Sequence, residues 1–185
     1  VIQVEDDNFD VDQIHNAAEK VARGGSVLVF PEGLSHDQPK SMAVKDSAAK
    51  IALKSTEICE GEKPVVIALG IHYSNKNKFR GRVAVTVERP IEITGQVHEL
   101  TEIISGEIYR ASQSREYWED RELIWKARSI VRAERNRDLE LRHLKADFGE
   151  EILGARRVRA AWEWLAQNNP VECGKLEDES RQLIG

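Results

Sequence analysis

The residues best suited to chemistry follow one another in Phe30-Pro31-Glu32-Gly33-Leu34-Ser35-His36-Asp37, directly after the apolar run Val27-Leu28-Val29. Glu32 offers a carboxylate fixed at the end of that run, able to accept hydrogen bonds from a ligand. Pro31 fixes one backbone angle, and Gly33 permits a close approach of the backbone to a ligand. Two readings stand for Glu32, a ligand carboxylate or a cap stabilised by a helix dipole. Ser35 divides the same way, between binding a phosphate oxygen and capping the next helix. His36 beside Asp37 has the residue types of a general-base pair, yet neighbours on a loop point apart, which favours plain surface residues. Lys45, further on, reads either as a phosphate partner or as solvated surface. Cys59 and Cys173 have no metal-type spacing and read as two reduced thiols, with no metal expected.

These residues need a scaffold. Asp10 is a candidate N-cap for a helix from Val11 to about Arg23, which Gly24-Gly25 stops. The run Ser26–Phe30 then predicts a buried strand, with Glu32 and Ser35 at its carboxyl end. A second helix is expected from Ala43 to about Ile58, carrying Lys45 and burying Ala48, Ile51, Ala52 and Ser55. Val65–Ile71 is continuously apolar, the pattern of a strand covered on both faces. A turn over Ser74–Lys78 leads into Arg82–Glu88, where Val83, Val85 and Val87 alternate with smaller or polar residues. Helix alternating with strand argues an α/β fold, a partial mixed and largely parallel sheet covered by helices. In such sheets ligands bind at the carboxyl ends of strands.

Beyond about Gly95 the pattern becomes helical, so the chain divides into 1–95 and a helical appendage over 96–185. Val97–Arg110 forms one helix, and Glu116 to about Phe148 forms one or two, with the stripe Leu123, Ile124, Ala127, Ile130 and Val131. Gly149 is expected to interrupt before a helix over Glu151–Ala166, which Asn168-Asn169-Pro170 ends. Trp118, Trp125, Trp162 and Trp164 read as helix-packing anchors. Arg121–Lys145 holds eight basic and four acidic residues, a solvated face or a face toward anionic lipid headgroups. Arg80 and Arg82 flank a strand start, where pairing with surface carboxylates is the default. A formal charge of −5 over 185 residues gives no support to nucleic-acid binding. No run reaches the roughly twenty apolar residues that cross a bilayer.

Several blocks together resemble the glycerophospholipid acyltransferases. Phe30-Pro31-Glu32-Gly33-Leu34-Ser35 is similar to that family's Phe-Pro-Glu-Gly-x-Ser block. In the same order, Val44–Leu53 resembles its following helix, Val65–Tyr73 its next strand, and Phe79–Val83 with Arg89-Pro90-Ile91 its closing hairpin. Ser47, Glu88 and Ala68 depart from the family's preferred Gly, Gly and Pro. The resemblance covers roughly residues 1 to 95, about half the chain.

What the resemblance implies is acyl transfer from an acyl thioester, on coenzyme A or acyl carrier protein, to glycerol 3-phosphate or its 1-acyl derivative. No other cofactor is implied. Pro31, Glu32, Gly33, Ser35 and Lys45 would form the acceptor side, in a membrane-associated protein on the cytoplasmic face. The family's general base is a His followed five positions later by an Asp, well upstream of Pro-Glu-Gly, and no such pair occurs in this sequence. The chain opens at Val1 inside a strand-like run, so the piece with the dyad is expected to precede it and the chain to be an incomplete catalytic unit. The alternative is an acyltransferase-like module without catalysis that binds lipid or protein.

Overall fold

The computed structural model describes residues 10–33, 38, 40–75, 79–113, 118–138 and 147–182. Contacts divide the chain into two compact units, Val1–Gly70 with Thr86–Ser114 and Ile71–Val85 with Arg115–Gly185.

The first unit is built on three helices. Helix α1 (Val11–Ala22) starts at Asp10, whose backbone N–H donates to Gln13 Oε1 at 3.4 Å. It buries Ala17 and Ala18 against α2 (Ser47–Ile58), which in turn packs on α3 (Val97–Ser112). Small residues on α2, among them Ala49, Ala52 and Ser55, let these helices approach closely. Ser55 is fully buried, and its hydroxyl donates to Ala52 O at 2.7 Å. The core joins Ala49 and Ala52 to Ile91, Leu100 and Ile104. The first turn of α3 carries a capping pair, Gln96 N–H donating to Glu99 Oε2 at 3.0 Å.

Among the described residues the expected parallel sheet is not found; their sheet has two antiparallel strands, β1 (Leu69–Tyr73) and β2 (Val83–Val87). Their short connection requires that sense, because parallel neighbours need a long crossover. Ser74 N–H donates to Arg82 O at 2.9 Å and Glu88 N–H to Ala68 O at 3.0 Å, a register that sets Gly70 opposite Thr86. Val66 and Ile91 exchange both backbone bonds one residue out of that register. The slip falls at Arg89-Pro90, where proline has no N–H for a ladder.

Ser26–Phe30, expected as a strand, joins no ladder among the described residues; Val27 and Val29 are half-buried while Leu28 and Phe30 are exposed. β-Propensity describes fit to a pleated surface, and no described strand pairs with this segment to supply one. Val65–Ile71, expected to be covered on both faces, is covered on one: Ala68 and Gly70 are buried, whereas Val65, Ile67, Leu69 and Ile71 are exposed.

At the base of the hairpin the inward face meets the end of α3. Thr86 Oγ1 lies 3.2 Å from Ala111 O, one of the last carbonyls of the helix, which have no partner within it. Gly70 sits so close that a Cβ there would lie 2.1 Å from the same oxygen. Gln113, with φ 54°, then ends α3 in the left-handed region.

The second unit holds α4 (Trp118–Asp138), α5 (Phe148–Asn168), α6 (Pro170–Gln182) and the outer part of the hairpin. Helix α5 begins earlier than the sequence suggests. Asp147 Oδ1 caps it by accepting from Glu150 N–H at 2.7 Å, so Gly149 lies in its first turn and interrupts nothing. Asn168 ends α5 as expected, and Pro170 occupies the first position of α6, where its missing N–H costs nothing. Trp125 and Phe148 stack at 6.5 Å between α4 and α5. The expected stripe on α4 is buried only in its first half: Leu123 and Ile124 face inward, while Ile130 and Val131 are exposed. Trp162 anchors α6, its indole N–H donating to Glu177 Oε1 at 2.9 Å. Trp164 is exposed and anchors nothing in that way.

Candidate functional site

The chain at Phe30–Gly33 makes a tight turn closed by Gly33 N–H donating to Phe30 O at 3.1 Å. Pro31 supplies the fixed φ that a second turn position favours, and Gly33, at φ 74°, takes the left-handed conformation that glycine adopts without strain. A second stretch of chain clamps this turn. Met42 N–H donates to Glu32 Oε1 at 2.9 Å, and Lys45 N–H donates to Pro31 O at 2.9 Å. The loop that leaves Gly33 is thereby returned to the turn, and Lys45 is brought beside Pro31.

Helix α2 begins at Ser47, four residues later than expected. Lys45 therefore belongs to the stretch that pairs with the turn, not to the helix. The bond from Lys45 N–H to Pro31 O holds this residue beside the turn, two residues before the start of α2. Pro31, Glu32, Gly33 and Lys45 are all half-buried, as side chains at the rim of a site are. Of the five residues singled out, these four are brought together; Ser35, with His36, lies outside the described residues.

The clamp gives Glu32 a structural task that sequence reasoning attached to a helix cap. It ties the turn to Met42. A carboxylate has about four acceptor positions on two oxygens, so it can meet several donors at once. Met42 is the residue that sequence reasoning missed. Its contribution is a main-chain N–H, for which residue type carries no signal.

A second concavity, an open depression of about 810 Å³, lies between α2 and the start of α3, lined by residues including Val44, Asp46, Leu53, Glu57 and Val97. Its ionisable lining is Asp46, Glu57 and His98, and each carboxylate is paired with a lysine, Asp46 with Lys50 at 2.8 Å and Glu57 with Lys54 at 3.0 Å. Among the described residues no group of three metal-ligating side chains occurs. No described helix is long and apolar enough to cross a membrane. Arg82 pairs with Glu151 at 3.9 Å and lies over the Phe148 ring at 5.2 Å, as the default reading of a strand-flanking arginine expects.

Comparison with known proteins identifies relatives of one kind. The chain is 37% identical over 76 residues to glycerol-3-phosphate O-acyltransferase 2 of Saccharomyces cerevisiae, a match covering 41% of this chain and 10% of that protein. It is 32% identical over 79 residues to glycerol-3-phosphate O-acyltransferase 1 of the same yeast, covering 43% and 10%. An uncharacterized acyltransferase of Schizosaccharomyces pombe is 28% identical over 97 residues, covering 52% and 13%. The matched part thus spans about a tenth of the length of these curated relatives. No protein-family model matches the chain, and no solved structure matches it significantly.

Proposed function

We propose, proceeding from the kinship with glycerophospholipid acyltransferases that the curated relatives support, that this chain forms the acceptor side of an acyl-transfer site. The donor is an acyl thioester of coenzyme A or acyl carrier protein. The acceptor is glycerol 3-phosphate or its 1-acyl derivative, and the product feeds phospholipid synthesis. Residues 1–95 carry the acyltransferase-related part, with 96–185 as a helical appendage, and the setting is a membrane surface on the cytoplasmic face.

The observation that carries the reading is the clamped turn. Two backbone-directed bonds hold Pro31-Glu32-Gly33 against the stretch that carries Lys45, so the Glu32 carboxylate and the Lys45 backbone lie on one turn. Glu32 can accept from a glycerol hydroxyl while Lys45, with Ser35, meets the phosphate as a point charge and a hydroxyl donor. Acyl transfer also needs a base on the acceptor hydroxyl. This sequence contains no His with an Asp five positions later, so the base comes from outside these 185 residues.

The test is acceptor binding by the chain itself. Titration calorimetry with glycerol 3-phosphate should register binding that Lys45→Met weakens and Glu32→Ala weakens further. Binding indifferent to both substitutions ends the assignment of the turn as an acceptor site.

A further inference from the structure

The two-stranded ribbon is inverted relative to an ordinary surface hairpin. Its inward face carries Ala68, Gly70, His72 and Thr86, all buried. Its outward face sets Leu69 opposite Val87, Ile71 opposite Val85 and Tyr73 opposite Val83, in the register that the backbone bonds fix. Val65 and Ile67 extend that row on the same alternation. These eight residues are 40–63% exposed, and no charge stands among them. A half-solvated sheet normally turns such residues to the core and polar ones to water. At those exposures the row leaves roughly 700 Å² of largely apolar surface open, close to the ~800 Å² per partner of a stable interface of standard size. A contiguous apolar patch of that extent on one molecule marks an interaction site.

We propose that this face is a two-fold interface with a second copy of the chain, the two ribbons packing face to face. A two-fold axis sets the central residues of such a face against their own counterparts, where any charge would meet its like. None of the eight positions carries one. Two identical pleated faces of aliphatic side chains interdigitate at the ~10 Å spacing of packed sheets. The second copy thus supplies the second covering layer that the continuous apolar run at 65–71 calls for. Tyr73 stands at the end of the row, where its hydroxyl reaches the wet rim of the interface. A bilayer is the poorer occupant, since interfacial lipid-binding faces carry lysine or arginine beside their apolar residues. Arg82, just before β2, is turned to Glu151 at 3.9 Å instead. The proposal goes beyond acyl transfer and does not rest on it, because self-association needs neither acceptor nor thioester.

Sedimentation velocity of the full chain over a concentration series tests this. A discrete dimer should form, and Val85→Glu, in the middle of the β2 row, should raise its dissociation constant roughly tenfold or more. Val171→Glu, at an exposed position on α6, should leave it unchanged. An equimolar mixture of Val85→Glu and Val85→Lys should recover the dimer, because opposite charges then meet across the axis, and recovery also shows that both variants are folded. A chain still monomeric at roughly 100 μM, above the micromolar limit of standard-size interfaces, overturns the proposal. So does a dimer indifferent to Val85→Glu, a mixture that stays monomeric, or a mass that grows without closing at two copies. A monomer that instead sediments with phosphatidylcholine–phosphatidylserine vesicles, and loses that binding in Val85→Glu, also overturns it and gives the face to a bilayer.

Discussion

Glu32 holds the loop that returns to it, and this dual position makes its replacement informative. Glu32→Ala removes the acceptor of the Met42 N–H, and a hydrogen bond to a half-exposed charged group contributes about 0.5–1.5 kcal/mol. A purely structural Glu32 predicts that loss of stability with near-normal kinetics. A ligand-binding Glu32 predicts, in an enzyme containing this segment, an additional ten- to hundredfold fall in kcat/KM for the acceptor, roughly the 1.5–3 kcal/mol of a charged hydrogen bond. Glu32→Gln should recover part of both effects, since its amide oxygen still accepts. Melting temperature and acceptor kinetics measured on the same variants separate the two. The Pro-Glu-Gly turn was legible in sequence because proline and glycine have few backbone options. The clamp was not, because a main-chain donor at Met42 leaves no mark on residue type.

Two glycines give opposite expectations. At Gly70 an added methyl would lie 2.1 Å from Ala111 O, backbone that cannot move aside without shifting the end of α3. Gly70→Ala should therefore cost about 2–3 kcal/mol or more. Gly106 lies within α3 with open space where a Cβ would go. Gly106→Ala should stabilise by about 0.5–1 kcal/mol, the helix propensity difference. Denaturant midpoints of the two variants test both, and a neutral Gly70→Ala would sink the close approach.

At the scale of elements, the joints between helices are polar where the sequence was hardest to read. Thr86 alternates with valines along its strand, yet it is the residue buried, and its hydroxyl donates to Ala111 O at the end of α3. Thr86→Val keeps the shape and removes the donor, and a buried carbonyl left without a partner costs about 1–3 kcal/mol. Helix α6 is fixed to α5 through Glu177, which accepts from Trp162 and lies 4.0 Å from Cys173 Sγ. Burial, and then the Glu177 carboxylate, push the Cys173 thiol up from its ordinary range. Less thiolate is present at neutral pH, and the thiolate is what an alkylating agent attacks. Cys59, half-buried at the end of α2, should label with iodoacetamide well before Cys173, as peptide mass spectrometry would register. Equal labelling would mean that α6 opens readily. The helices were legible to within a few residues where caps and periodicity coincide, as at Asp10–Ala22. They were misjudged where one residue has two roles: Gly149 reads as a breaker, but the Asp147 cap before it starts the helix.

On the scale of the whole molecule, continuous apolar runs at 65–71 and alternating valines at 83–87 imply two covering layers, and the described residues supply one. That is why the parallel sheet was expected and a two-stranded antiparallel ribbon was found: sequence pattern records how much of a strand is to be covered, not what covers it. The same asymmetry bears on catalysis. A positioned base contributes roughly 10²–10⁴-fold, and the three histidines among the described residues lie elsewhere. His15 and His98 lie on helix surfaces 3.2 and 3.6 Å from Glu19 and Glu102, and His72 is buried on the inner face of β1. The purified chain, given acyl-coenzyme A and glycerol 3-phosphate, should therefore release coenzyme A thiol only at the rate of the protein-free reaction, even where calorimetry registers acceptor binding. Robust turnover would contradict this and point first to His36, beside the Pro-Glu-Gly turn in sequence. Loss of that turnover in His36→Ala would then make the chain a complete catalytic unit with a base of its own, and persistence would send the search to His72.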